Sequence, residues 1–232
     1  TNPQPLMYTE IFNRDSKYTD GFITYSDGSH DDVNKAIWSQ LGWDASKDPQ
    51  EIVLEYSQFY FGPEVAEEAT QGIFALEKNW DGPVLENTSI KESLALWKRL
   101  EGNNPQLVDN WRWQQLVMRA YYDAYIQDRL AFEKGLEVEA YEILANANSI
   151  GADKAMEEAL RHLDKADSEM VSQELKKEVF SYGEKLFQSI GAQTSVEKYQ
   201  ARSAERGAVL DFIDYPLNNR WWLEDEFNKI KA

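Results

Sequence analysis

Apolar residues recur along this chain at spacings of three and four, the period of an amphipathic helix. Val33, Ile37, Trp38 and Leu41 form one such stripe; Ile52, Val53, Tyr56, Phe59 and Tyr60 form a second; Leu94, Trp97 and Leu100 form a third. Polar start and stop signals separate them. Ser29 and Asp32 fit a capping box, and that helix is expected to run to about Gly42. Asp48, Pro49 and Glu51 give an N-cap, a proline at the first helical position and an acid at the third, for a helix ending at Gly62. Pro63 restarts a helix that the breaker cluster from Asn79 to Pro83 ends. Ser89 and Glu92 form another capping box, for a helix closed by Gly102 to Pro105.

No proline lies between Pro105 and Pro216. Trp111, Met118, Tyr121, Tyr122, Tyr125 and Phe132 recur at helical intervals, so a long helix is expected, reaching towards Asn148. Gly135 is its weak point, at about 1 kcal/mol relative to alanine. After a turn at 149–151, helices are expected over 152–167 and 171–190. Thr194 to Glu197 caps another, ending near Gly207. The apolar tail from Asp211 to Trp222 is expected to dock back on the body before a short final helix. Residues 1–20 look irregular, and Phe22 to Tyr25 is the best strand candidate. The predicted fold is therefore all-α: an irregular multi-helix bundle with an extended N-terminal arm or one short strand near 22–25. Residues 1–28 form the arm and 29–232 one helical domain. Within that domain, 29–113 is aromatic-rich, 114–210 holds the long helix and a plainer bundle, and 211–232 is the tail.

Composition narrows the functions open to this fold. At 232 residues the chain can bury a substantial core, and 42% hydrophobic residues argue against disorder. A net charge of −17 disfavours a phosphate backbone or an anionic membrane surface as partner. No nucleic acid and no membrane are expected as partners, and no cofactor. With no cysteine and two histidines, thiolate and multi-histidine metal sites are excluded within one chain. No apolar run approaches the roughly 20 residues of a membrane span. The start, Thr1 to Pro5, lacks the features of a signal peptide and a methionine, as in a mature or cut product. No repeat of fixed period is present.

Asp27, His30, Asp31, Asp32 and Asn34 lie together where the apolar run meets the first capped helix. Carboxylates there suit general acid–base chemistry or hydrogen bonds to sugar hydroxyls, and His30 suits a proton shuttle near neutral pH. Helix capping and turn formation explain the same residues without chemistry. Trp111, Trp113, Tyr121, Tyr122 and Tyr125 suit either sugar stacking or core packing, with Arg112 and Arg119 available to pair with carboxylates. His162 reads as a solvated helix face without a role.

Tyr25-Ser26-Asp27-Gly28 followed by Asp31-Asp32-Val33-Asn34-Lys35 resembles a Tyr-Ser-Glu-Gly…Asp-x-Asn-Lys segment of large secreted bacterial proteins similar to glycoside hydrolases. In the α-glucuronidase-like and β-hexosaminidase-like groups, a (β/α)8 barrel is followed by a helical C-terminal region. Trp38 to Asp44, Tyr56 with Phe59 to Pro63, Asn110-Trp111-Arg112, Tyr121 to Tyr125 and Asp214 to Arg220 are similar too. The resemblance implies that residues 22–28 end the last barrel strand, on the face where such barrels carry their sites, so that Asp27 and His30 border a sugar pocket.

The remaining strands of a barrel are absent, and a glycosidase needs two carboxylates flanking the bond. The expected function is thus a non-catalytic helical C-terminal module of a secreted or periplasmic saccharide-processing protein, a scaffold or a carbohydrate-facing surface. Its expected partners are a saccharide and an upstream catalytic barrel. The alternatives are a free-standing helical domain that binds protein or peptide, and a complete small glycosidase using Asp27 and His30. The candidate site is Asp27 and His30 for catalysis, with Asp31, Asn34, Trp111 and Arg112 for substrate binding.

Overall fold

A computed structural model describes residues 2–25 and 30–231, and among these there is no strand. The helices are α1 (Pro5–Asp15), α2 (Asp32–Trp43), α3 (Pro49–Phe61), α4 (Ala66–Lys78), α5 (Ser89–Asn103), α6 (Trp111–Ala145), α7 (Ala147–Ile150), α8 (Ala152–Leu163), α9 (Lys165–Ser168), α10 (Gln173–Ile190), α11 (Val196–Tyr199) and α12 (Arg220–Lys231). The all-α class holds, as the helical period of the apolar residues requires.

Two caps form where the sequence places them. The Asp48 carboxylate accepts from the Gln50 amide at 2.7 Å, and Ser195 Oγ accepts from the Lys198 amide at 3.1 Å. Others differ. Ser29 lies outside the described residues; α2 begins at Asp32, with Asp31 at the N-cap and no side-chain cap bond. Ser89 is the first residue of α5 rather than its cap, and its amide is taken by Asn87 Oδ1 at 2.9 Å. The helix opened by Ser195 stops at Tyr199, because Gln200 turns into the left-handed region at φ 58°.

The N-terminal segment departs most from expectation. Residues 5–15 form a helix, α1, where irregular chain is expected, and residues 21–25 have no regular structure where a strand is the candidate. The cause is tertiary. The free amides at a helix start need acceptors, and here they come from other helices: Asn34 Oδ1 accepts from Gln4 at 2.8 Å, and the Glu77 carboxylate accepts from Leu6 and Met7 at 3.0 and 2.8 Å. An anion at this end also suits the helix dipole. Phe12 then packs edge-on against Trp38, with centroids 5.5 Å apart. Phe22 folds over the same indole at 5.2 Å and across Gly42, where a Cβ would meet its ring at 2.6 Å.

Contacts group the chain into two compact units: Thr1–Ala124 with Leu175–Phe212, and Tyr125–Glu174 with Ile213–Ala232. The first is centred on Trp97 and Trp113, both fully buried, with ring centroids 5.1 Å apart. Phe61 meets Trp113 at 5.3 Å, and the Trp97 indole donates to the Gly72 carbonyl at 3.2 Å. Ile37, Leu41, Ile52, Ile73, Leu76 and Leu100 of the same unit are also fully buried.

The second unit packs α8 and α12 on the C-terminal part of α6 through Leu136, Ala140, Met156, Leu163, Leu223 and Phe227. The tail docks here by a polar clamp. Arg129, buried on α6, pairs with Glu133 and donates to the carbonyls of Ile213 at 2.6 Å and Tyr215 at 3.0 Å. Glu133 in turn accepts from the Leu217 amide at 2.7 Å and the Asn218 side chain at 2.8 Å. Glu137 accepts from the Asn219 amide at 2.8 Å. Docking does not extend to the two tryptophans: Trp221 and Trp222 stay 60% and 58% exposed. His162 is not on a solvated face, since its side chain is mostly covered and Nε2 lies 2.8 Å from a Glu139 carboxylate oxygen.

Candidate functional site

The five residues between α2 and α3 fold the two helices into a hairpin, with a cleft of about 520 Å³ along their seam. Ile52 and Ala36 give it an apolar floor; Asp32, Lys35, Ser39, Gln40 and Glu55 supply polar groups; Tyr56, Phe59 and Tyr60 supply rings. Phe59, Tyr60 and Phe61 are consecutive on α3, and successive residues point about 100° apart around the axis, so the three rings fan out from the buried Phe61 towards solvent. Tyr60 is half-buried and Phe59 is 81% exposed.

One end of the cleft is fixed by a charge network. Asp32 Oδ2 accepts from the Tyr56 hydroxyl and from Arg112 Nε, both at 2.8 Å. The Arg112 guanidinium lies between the Tyr60 ring, 3.7 Å from its centroid, and the Trp111 ring at 3.9 Å, a cation–π sandwich. Burial raises the Tyr56 hydroxyl pKa well above its ordinary value, and the Asp32 carboxylate adds to the shift, so the hydroxyl stays a donor. Along the cleft, Glu55 is held by Lys47 at 2.5 Å, and Lys47 also donates to Gln40 at 3.1 Å. Both cleft carboxylates thus have fixed orientations and a cation in contact.

The six residues expected at the site are dispersed. Asp27 lies outside the described residues. Trp111 and Arg112 join Asp32 at the cleft end, as just described. Asp31 pairs with Lys35 at 3.5 Å, on the next turn of its own helix. Asn34 is not available to a substrate: it is buried, its amide nitrogen donates to the Asn2 carbonyl at 2.8 Å, and its oxygen holds Gln4.

His30 is buried and does not line the cleft. Burial, with the Arg119 guanidinium nearby, pushes its pKa down to about 3, so it does not change charge near neutral pH. The unfolded imidazole gains its proton near pH 6.5 and the folded one only near 3, so the stability it contributes is complete above 6.5 and is lost as pH falls through this range. In that window the slope is about 1.4 kcal/mol per pH unit for one proton. A His30→Leu variant is expected to lose less stability between pH 6.5 and 4 than the parent in urea titrations; equal slopes would show that His30 titrates normally.

Of the aromatic candidates, Trp113, Tyr121 and Tyr125 are buried, in agreement with core packing. The rings that face the cleft, Tyr56, Phe59 and Tyr60, read in the sequence as a helix stripe rather than a site, and the doublet at 59–60 is the signal that could find them. Among the described residues no group of three or more acidic or histidine side chains could hold a metal ion, and no helix is long and apolar enough to cross a membrane. No family model matches the chain, and no curated protein or solved structure matches it.

Proposed function

We propose that this chain is a non-catalytic helical module of a secreted or periplasmic saccharide-processing protein, and that it holds carbohydrate in the α2–α3 cleft. The observation that carries this reading is an exposed Phe59 ring beside a 520 Å³ cleft whose polar groups are already oriented. A pyranose offers one face of polarised C–H groups to such a ring and hydroxyls to the carboxylates and amides around it. Fixed partners lower the ordering cost of binding. The sequence resemblance to the helical regions that follow glycoside-hydrolase barrels supports the same class, with an upstream barrel as catalytic partner. Asp32 and Glu55 are each engaged by a cation, Arg112 and Lys47, which suits hydrogen-bond acceptors better than an acid and a nucleophile poised across a glycosidic bond.

Glycan-array binding followed by titration calorimetry tests the proposal. Phe59→Ala and Trp111→Ala are each expected to weaken glycan binding about tenfold, which corresponds to about 1.4 kcal/mol. Absence of glycan binding by the parent chain, with peptide binding in its place, would overturn it. So would hydrolysis of an aryl glycoside by this chain alone.

A further inference from the structure

The second unit contains an aromatic–polar hollow that neither the fold nor the α2–α3 cleft accounts for. Helix α12 packs through Leu223 and Phe227, so Trp221 and Trp222 do no packing work in proportion to their size. Most of both indole surfaces is left in water. Trp221 stands edge-on to Tyr215 at 6.3 Å and borders a hollow of about 320 Å³. Asp164, Asp167, Asn218, Arg220 and Glu224 share that border.

The polar groups are built into position. Arg220 Nε donates to Asp164 at 2.6 Å and Nη1 to Glu224 at 2.6 Å. Asn218 Oδ1 accepts from the Arg220 amide at 3.0 Å, and its nitrogen is held by Glu133. Asp167 has no ion-pair partner among the described residues. One guanidinium is therefore spent on two carboxylates, and a third carboxylate stands beside them. Among the described residues that border the hollow no further cation is left to neutralise an anionic ligand, and the net charge of −17 repels one further. Hydroxyl donors fit: each carboxylate turned by Arg220 keeps an oxygen to accept from them, and the Trp221 face takes the apolar side of a ring.

We infer that this hollow is a second saccharide subsite, selective for uncharged pyranosides over uronic or sulfated ones. The inference rests on the carbohydrate-binding reading of the chain and adds a site, in the other unit, to the α2–α3 cleft.

Calorimetry on the full chain separates the two claims. The probes are uncharged xylo-, cello- and chito-oligosaccharides, with oligogalacturonate as the anionic comparison. The parent is expected to bind an uncharged probe at two sites; Phe59→Ala weakens the α2–α3 cleft and Trp221→Ala the hollow, each about tenfold, and the double variant weakens both. Trp221→Ala should keep the parent's thermal midpoint, since that side chain is mostly exposed, and Trp222→Ala should keep both sites. A single site weakened by Phe59→Ala and untouched by Trp221→Ala overturns the second subsite and leaves the first. Binding of no uncharged probe by the parent overturns both. Equal binding of oligogalacturonate through Trp221 overturns the selectivity.

Discussion

Arg129→Met should destabilise the second unit by about 3–5 kcal/mol, the cost of leaving one member of a buried ion pair without its partner. The Glu133 side chain is only 1% exposed, and Arg129 is the cation that pairs with it. Removing the guanidinium also strips its hydrogen bonds from the carbonyls of Ile213 and Tyr215. The loss should be read in urea unfolding and, more locally, in faster hydrogen exchange at the amides of Leu217 and Asn219, which Glu133 and Glu137 hold. The double variant Arg129→Met with Glu133→Leu removes the orphaned charge and should recover part of the loss, giving a favourable coupling in a double-mutant cycle. A cost under about 1 kcal/mol for Arg129→Met, the range of an exposed pair, would mean that the clamp does not hold the tail.

Trp97→Ala should cost the first unit about 3–5 kcal/mol, the usual range for deleting a fully buried indole. The site has little means to collapse, because Trp113 and Phe61 brace one another edge to face alongside it. The opposite wall is Gly72, where a Cβ would lie 2.8 Å from the Trp97 ring, in place of ordinary contact. Gly72→Ala alone should therefore destabilise by about 1–3 kcal/mol through overpacking. In the Trp97→Ala background the same methyl enters the new cavity and should be neutral or stabilising. Additive losses in thermal or urea unfolding would show that the glycine and the indole do not set each other's fit.

These two sites also show what the sequence makes legible. Helix class, the Asp48 cap and the long α6 follow from signals a few residues apart, where periodicity and capping chemistry are local. The start of α1 could not be read this way, since its acceptors come from Asn34 and Glu77, 30 and 71 positions from the amides they receive. The candidate site divides along the same line. Arg112 and Trp111 are visible as polar and aromatic neighbours, but the partner that ties Arg112 to the end of the cleft, Asp32, lies 80 positions away. Asn34 reads as a sugar ligand because its side-chain amide both donates and accepts, and both capacities are used in holding the N-terminal segment.

The acceptance of Leu6 and Met7 by Glu77 has a consequence for acid behaviour. Burial raises the Glu77 carboxyl pKa, although the two amides pull it down. Its folded value then exceeds its unfolded one, so just above pH 4.5 the folded chain binds this proton more readily and gains stability as pH falls. His30 acts in the reverse sense over the same range. The proton is thus a ligand that one buried side chain of the first unit recruits to the folded state and another recruits to the unfolded state. The two oppose each other in that unit's response to acid, so removing Glu77 should steepen the loss that removing His30 relieves.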